Sequence, residues 1–221
     1  MAKTSEKNEF PAEVLIPPNS TLAELRAVAV GCKACDLWKK GTQTVFGEGP
    51  SSAHVMFVGE QPGDREDIEG RPFVGPAGRI LDEALSQAGI SRDDVYVTNV
   101  VKHFRWEAAS RGKRRIHKKP RASEIKACRP WLDAEVARVQ PKVLVCLGAT
   151  AAQSLLGKDY SVLRNRGKFV KSPLAPYTMA TVHPSSILRS PDSETRKAEM
   201  LHFIRDLKKI APLLREFHRA A

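Results

Sequence analysis

The sequence predicts an α/β fold in which a mainly parallel sheet of four strands is covered by helices on both faces. Four short apolar runs have the composition of buried strands, at 54–60, 95–101, 142–148 and 177–182. Segments with apolar residues at helical spacing separate them, and this alternation is typical of parallel strands joined by helical crossovers. The length of 221 residues suits one domain with additions.

Helix signals follow one another in chain order around these strands. Residues 1–20 are polar and contain three prolines, so we expect a flexible N-terminal tail and a single domain over 21–221. Ser20 or Thr21 is a good N-cap for a helix that has Glu24 in its first turn and reaches Gly31. Further helices are predicted over 77–89, 123–140, 149–157 and 193–220, the last one broken near Pro212.

The composition excludes several classes of protein. Lys and Arg number 36 against 25 Asp and Glu, and the net charge of +11 favours a polyanionic partner. No apolar run approaches the roughly 20 residues of a membrane span, and the N-terminus lacks the apolar core of a signal peptide. We therefore expect a cytoplasmic protein with no membrane partner.

Much of the positive charge lies in one connection. Residues 102–121 carry nine Lys or Arg and one Glu, and they interrupt the alternation of strands and helices. We expect a flexible basic insertion over about 104–121. Contacts to phosphate are predicted for Lys113, Arg114, Arg115, Lys118 and Lys119. From composition alone, His117, which lies among these cations, is predicted to be one more contact to a nucleic-acid backbone.

Four cysteines form a pattern with two possible meanings. Cys32 and Cys35 make a C-x2-C pair, whereas Cys128 and Cys146 are separated by 17 residues. In a protein that is not secreted, four thiolates suit tetrahedral zinc or an iron–sulfur cluster, and the wide second spacing disfavours zinc. The alternative is a C-x2-C turn with two cysteines packed in the core.

Polar residues follow the predicted strands where those strands end. Glu60 and Gln61 lie in the turn GEQPG, Asn99 ends the second strand, and His183 ends the fourth. In an open α/β sheet the carboxyl ends of the strands border the ligand crevice. We therefore expect a site at this edge, although each residue alone has a plain alternative, a solvated turn or a structural histidine.

Taken together, these motifs resemble the family 4 uracil-DNA glycosylases over about residues 25–210. The motifs are GEQPGD (59–64), PFVGPAG (72–78), YVTNVVKHF (96–104), the four-cysteine set and TVHPSS (181–186). Gln61 stands where the family usually has alanine, and the basic insertion ending in KRRIH is absent from ordinary members. Both departures resemble the UdgX-type glycosylases, which become covalently joined to uracil-containing DNA.

The resemblance implies a fold, a cofactor and a site. The fold would be a three-layer α/β/α sandwich, and a [4Fe–4S] cluster would be bound by Cys32, Cys35, Cys128 and Cys146. The uracil pocket would comprise Glu60, Gln61, Phe73, Asn99 and His183, with DNA contacts that also include Ser185 and Ser186. His117 would be the residue that bonds to DNA. We further expect a nucleoid-associated monomer that accepts single-stranded DNA.

The chemistry of these side chains agrees with such a site. A base must be flipped out of the stack, and Phe73 can stack on it. The amide of Asn99 offers the donor and acceptor that match O4 and N3–H of uracil, a pattern that cytosine reverses. The Gln61 backbone N–H and His183 can meet the negative charge that develops on O2 of the departing base. Glu60 can stabilise the sugar cation, polarise a water, or take a proton from His117.

Three functional hypotheses differ in the role that they give to His117. The surrounding cations are expected to lower its pKa, and a neutral imidazole can attack C1′ of the sugar. The leading hypothesis is an enzyme that excises uracil and remains bound to DNA through His117. The second is a glycosylase that turns over and uses His117 only to hold phosphate. The third is a nucleic-acid-binding protein without catalysis, in which the cluster is structural.

Overall fold

The computed structural model describes residues 11–110, 112 and 114–220. Seven strands occur there: β1 Val55–Gly59, β2 Val95–Asn99, β3 Trp106–Ala108, β4 Arg115–His117, β5 Val143–Leu147, β6 Phe169–Ser172 and β7 Ala175–Thr181. The α-helices in the same ranges are α1 Ala12–Leu15, α2 Leu22–Ala29, α3 Asp64–Glu69, α4 Pro76–Ala88, α5 Ala122–Val139, α6 Gly148–Leu156, α7 Val162–Asn165, α8 Pro184–Leu188, α9 Ser193–Lys208 and α10 Ala211–Ala220. None of the helices in these ranges is long and apolar enough to cross a membrane.

The main sheet confirms the predicted α/β class but has five strands where the sequence predicted four. Its order is β2-β1-β5-β7-β6. The pairs β2–β1, β1–β5 and β5–β7 are parallel, and β6 is antiparallel to β7. The additional strand β6 lies at the edge and is only partly buried. A short edge strand lacks the continuous apolar run that marked the four central strands.

Helices pack on both faces of this sheet, so its strands are buried on both sides. Met56, Val58 and Leu144 belong to one apolar cluster, which also contains the four cysteines. Phe57 and Val145 point to the opposite face, where the second cluster includes residues of α4 and α9. The parallel strands all end at one edge, and this edge carries Gly59, Asn99, Leu147 and Thr181.

The chain before residue 21 is only partly a tail. Residues 1–10 lie outside the described residues, whereas Ala12 in α1 is completely buried. The tail prediction is therefore wrong for residues 12–15, because an apolar pattern of four residues is too short to be recognised as a helix. The next helix follows Thr21, one of the two predicted N-caps, with Glu24 in its first turn as predicted. The two side chains also form a reciprocal capping box.

The basic insertion contains a β-hairpin where a flexible loop was expected. Strands β3 and β4 pair antiparallel, with Trp106 opposite His117. Each strand has only three residues, too few for an alternating pattern to show in the sequence. The hairpin places His117 at a fixed register position beside the main sheet.

Candidate active site

A cavity of about 1060 Å³ lies at the carboxyl edge of the sheet. Most of the predicted site residues line it: Glu60, Gln61, Phe73, Asn99, Arg114, Arg115, His117, Lys119, His183, Ser185 and Ser186. Lys118 instead forms an ion pair with Glu107 of β3 at 3.1 Å. Lys113, a predicted DNA contact, lies outside the described residues. The structure therefore brings residues from several separate motifs to one cavity.

Asn99 presents a buried acceptor with no partner. Its Oδ1 atom has no hydrogen bond in the structure, and such an atom carries a desolvation cost unless a ligand supplies a donor. Gly59 lies opposite Asn99 in the β1–β2 pair. A β-carbon on Gly59 would collide with Asn99 Oδ1 and with the Phe73 ring. The glycine is therefore required by the close approach of these two side chains.

Phe73 is fixed in an unusual backbone conformation. Its φ angle is 57°, in the left-handed region that side chains rarely adopt. The first turn of α4 passes so close that a β-carbon on Gly78 would collide with the Phe73 carbonyl. The ring stacks beside the His183 imidazole at an interplanar angle of 29°, with centroids 6.1 Å apart. This geometry provides an aromatic surface within the cavity.

His183 is held as a neutral imidazole. Burial, followed by the charges of Arg189 and His117, lowers its pKa to about 4. The backbone N–H of Ser185 donates to His183 Nδ1 at 3.1 Å. Nδ1 is therefore the acceptor, and the ring proton resides on Nε2. A neutral ring with Nε2–H is a hydrogen-bond donor that does not itself carry charge.

The Glu60 carboxylate lies between Thr150 of α6 and His117 of the hairpin. Its Oε2 atom accepts a hydrogen bond from the Thr150 hydroxyl of α6. Its Oε1 atom is 3.7 Å from Nε2 of His117. The sequence did not identify Thr150 as a partner, although it lies in the LGAT segment that ends the third predicted strand. The hydroxyl fixes the carboxylate and leaves Oε1 directed toward His117.

Gln61 ties the hairpin to the main sheet. Its side-chain nitrogen lies 2.9 Å from His117 Nε2 and also donates to the carbonyls of Arg105 and Lys118. Its Oε1 atom accepts from the Arg105 N–H at 3.1 Å. The side chain of Gln61 therefore contacts His117 in β4 and the residues that flank the open end of the hairpin, Arg105 and Lys118, whereas the sequence placed it only among the uracil contacts. A short alkyl side chain here cannot make these four contacts.

His117 has a lowered pKa, as predicted, but for a different main reason. Burial is the largest cause, the charge of Arg189 adds to it, and Glu60 opposes both. The prediction had been that the cations of the insertion itself lower this pKa. No sequence pattern indicated Arg189, which reaches the cavity from the end of α8. Because the imidazole of His117 is half exposed, a ligand in the cavity has access to it.

Arg115 has a structural role in place of the predicted phosphate contact. Its guanidinium pairs with Asp64 and Asp67 at 2.5 Å each. It also lies over the rings of Phe104 and Trp106. Two carboxylates already neutralise this cation, so it anchors the hairpin to α3. The sequence could not separate Arg115 from neighbouring Arg114 because charge runs do not reveal which side chain points inward.

A buried ion pair supports the backbone of Asn99. Lys102 is 1% exposed and pairs with Glu135 of α5. Its Nζ atom also donates to the Asn99 carbonyl at 2.8 Å. Glu135 accepts further hydrogen bonds from the Gly47 N–H and the Tyr96 hydroxyl. Because every charge in this group is paired, the strand end that carries Asn99 is rigidly connected to α5.

The four cysteines are all buried and free of disulfides. Burial, the first cause in each case, raises the pKa of Cys35 to about 11 and those of Cys128 and Cys146 to about 12. Cys32, Cys35 and Cys128 also interact through their charges, whereas burial alone accounts for Cys146 on β5.

Two of these sulfur atoms accept hydrogen bonds from N–H donors. The Lys102 backbone N–H donates to Cys128 Sγ, and the Trp131 indole N–H donates to Cys32 Sγ, both at 3.2 Å. Within the described ranges, no three His, Cys, Asp or Glu side chains converge as a site for a single ion. Burial, thiol chemistry and N–H donors to sulfur suit thiolate ligands of a metal centre.

The comparisons with known proteins agree with this geometry. The family model "Uracil DNA glycosylase superfamily" matches residues 46–208, well over half of the chain. The chain therefore belongs to the uracil DNA glycosylase superfamily.

Individual relatives narrow the similarity within that superfamily. The type-4 uracil-DNA glycosylase of Sulfurisphaera tokodaii is 35% identical over 85% of this chain and 84% of its own length. The type-4 enzyme of Thermotoga maritima is 39% identical over 75% of this chain and 82% of its own. The type-4 enzyme of Archaeoglobus fulgidus is 36% identical over 73% of this chain and 80% of its own length.

Proposed function

We propose that this protein excises uracil from DNA and becomes covalently linked, through His117, to C1′ of the resulting abasic site. The observation that carries the proposal is the position of His117. Its Nε2 atom is 3.7 Å from Glu60, on the cavity into which Phe73, Asn99 and His183 also project. A glycosylase that used water alone would not require an imidazole held at this point. The UdgX-type departures in sequence, Gln61 and the insertion, supply the contacts that hold it.

Recognition of uracil follows from the polar atoms of the cavity. The unpartnered Oδ1 of Asn99 accepts the N3–H of a flipped uracil, and the amide nitrogen donates to O4. Cytosine presents an acceptor at N3 and a donor at N4, so both contacts would fail and leave buried groups unpaired. The Phe73 ring stacks on the base.

Cleavage of the glycosidic bond leaves opposite charges on the uracil and on the sugar, and the site stabilises both. As the glycosidic bond lengthens, negative charge develops on uracil O2 and is met by the Nε2–H of neutral His183. Positive charge develops on the sugar and is stabilised by the Glu60 carboxylate, which Thr150 keeps in place. The side chains of His183 and Glu60 are already in position, so neither has to move as the bond breaks.

The covalent step uses the lone pair of His117 Nε2. The attacking form is the neutral imidazole with its proton on Nδ1, and Nε2 turns from its 2.9 Å contact with the Gln61 amide nitrogen toward C1′ when the substrate is bound. A bond forms between Nε2 and C1′, and the bond from C1′ to uracil N1 breaks with its electrons on uracil. The proton released from Nδ1 of the resulting imidazolium neutralises the uracil anion through solvent. The product is an N-glycosyl histidine, which keeps the protein on the DNA.

A turnover glycosylase is the second candidate. The half-exposed ring of His117 lies in a cavity that water also enters, so water can compete for C1′. The two functions are separated by incubating the protein with a uracil-containing oligonucleotide and boiling it in SDS. A band that survives, with one free uracil per protein, supports the covalent function. Free uracil in excess of protein without such a band supports turnover.

Replacement of Glu60 by Gln is expected to slow adduct formation by about 100-fold, because it removes the charge that faces the sugar cation. The measurement is the single-turnover rate of band formation in SDS. Glu107→Gln is the matched control, since Glu107 is an exposed acid of the same hairpin and pairs only with exposed Lys118 among the ion pairs described. An unchanged rate in Glu60→Gln would remove Glu60 from the reaction.

A [4Fe–4S] cluster is proposed at Cys32, Cys35, Cys128 and Cys146, where it would join the C-x2-C segment to α5 and β5. It would supply no step of the chemistry; the reacting groups belong to the chain. The burial of all four thiols and the N–H donors to sulfur support this assignment.

Cys128→Ala is expected to abolish iron binding and to lower thermal stability strongly, because ligand binding at such sites contributes to folding free energy. Iron content and visible absorption measure the first effect, and thermal melting measures the second. Cys146→Ala should behave in the same way. If Cys146→Ala keeps all its iron, the fourth ligand is another residue. Stoichiometric zinc without iron after anaerobic purification would contradict the cluster.

The proposed partner is uracil-containing DNA, with single strands accepted and the protein acting as a monomer. Arg114 and Lys119 line the cavity and are available to phosphate. The Ser185 and Ser186 hydroxyls also line it but hydrogen-bond to His183 in this structure, so they would donate to phosphate only after these bonds are exchanged. Single-stranded DNA avoids the cost of unpairing the base, so it suits a site that requires a flipped nucleotide.

A further inference from the structure

The hydroxyl of Tyr160 is a buried donor that has no acceptor. Tyr160 lies in the turn between α6 and α7, where its backbone N–H donates to the Gly157 carbonyl at 3.0 Å. Its ring is partly buried and packs against the apolar side chains that surround the four cysteines. The hydroxyl oxygen is buried and has no hydrogen-bond partner within the part of the chain that the structure describes. A buried tyrosine hydroxyl usually has a partner, because an unmade hydrogen bond leaves its desolvation cost uncompensated.

Cys146 is the thiol that lies near this hydroxyl. Cys146 of β5 pairs with Ala180 of β7, and both belong to the apolar side chains against which Tyr160 packs. Burial, and after it the charge of Cys146, raises the pKa of Tyr160. The Cys146 sulfur nevertheless does not accept the hydroxyl proton, which has no partner in this structure. The acceptor that this donor lacks therefore has to lie beside Cys146 and come from a group that the chain binds.

We propose that the Tyr160 hydroxyl donates a hydrogen bond to an inorganic sulfide of the [4Fe–4S] cluster. The inference rests on the iron–sulfur cluster of the proposed function and adds a residue to its surroundings. Sulfur atoms of such clusters accept hydrogen bonds, and these bonds help to set how readily the cluster is oxidised. Cys128 and Cys32 accept N–H donors of the chain. Tyr160 would provide a donor on the side of Cys146.

The same hydrogen bond would connect the iron–sulfur cluster to the reaction cavity. The turn that carries Tyr160 follows α6, the helix whose Thr150 hydroxyl holds Glu60. Val162, two residues after Tyr160, is buried and lines the cavity. The turn therefore joins two segments of the cavity wall, and Tyr160 would fasten it to the iron–sulfur cluster.

Resonance Raman spectra of the iron-containing protein in H2O and D2O test the proposal. Fe–S stretching bands shift on exchange when sulfur accepts a bond from an exchangeable proton. Tyr160→Phe is expected to reduce this shift, because it keeps the ring and removes only the hydroxyl. Tyr177→Phe is the matched control and should retain the wild-type shift, since the Tyr177 ring packs against Phe169 and Phe217.

Oxidation by ferricyanide provides a second measurement on the same proteins. With equal iron content at the start, visible absorption should be lost faster in Tyr160→Phe by about threefold to tenfold, the factor that one hydrogen bond of ordinary net strength represents. Loss of iron in Tyr160→Phe but not in Tyr177→Phe would also support the bond. Equal isotope shifts and equal bleaching in wild type and Tyr160→Phe would overturn the inference alone. Wild-type protein without iron would contradict the proposed cofactor as well.

Discussion

His117→Ser is expected to abolish the SDS-resistant adduct while uracil is still released. The serine removes the imidazole that attacks C1′, but the groups that recognise and expel the base lie on other elements, at Phe73, Asn99 and His183. The smaller side chain also leaves room for water to reach C1′. We therefore expect release of more than one uracil per protein, measured by chromatography of the free base beside a denaturing gel.

A surface histidine provides a closely matched control for this variant. His202 is half exposed and lies 3.9 Å from Glu199, which resembles the 3.7 Å between His117 and Glu60. His202→Ser should form the adduct at the wild-type rate. An adduct that persists in His117→Ser would assign the nucleophile to another residue. Loss of both adduct and uracil release would mean that His117 takes part in cleavage itself.

Asn99→Asp is expected to lower uracil excision by about 100-fold and to weaken the preference for uracil over cytosine. The carboxylate keeps the acceptor for N3–H but cannot donate to O4, and two acceptors then face each other in a buried site. Rates on matched oligonucleotides that carry uracil or cytosine at one position give the ratio. Asn19→Asp, on the exposed segment before α2, is the control for the added charge. Full selectivity in Asn99→Asp would contradict the assignment of the pocket.

The sequence predicted the central sheet because its strands are buried on both faces. Runs such as Val143–Leu147 are apolar throughout, and their spacing around helical segments leaves few other arrangements. The edge strand β6 and the three-residue strands of the hairpin were missed because their side chains are partly exposed. Their position depends on tertiary contacts such as those of Arg115 with α3.

The site residues that lie at the ends of parallel strands could be predicted from the sequence, whereas those on other elements mostly could not. Glu60, Asn99 and His183 follow parallel strands, so their convergence follows from topology. Arg189 comes from the end of a short helix beyond the sheet and has no sequence signal that distinguishes it from surface residues. The direction of the His117 pKa shift was predicted, but its main cause, burial, requires the three-dimensional packing of the hairpin.

Mass spectrometry of the protein–DNA product tests the central claim most directly. The wild-type protein is incubated with a short uracil-containing oligonucleotide, denatured, digested with protease and nuclease, and sequenced by fragmentation. We predict an intact mass equal to protein plus oligonucleotide less one uracil, and a sugar remnant on the imidazole of His117. A remnant on any other residue, or uracil released with all protein recovered unmodified, would contradict the account.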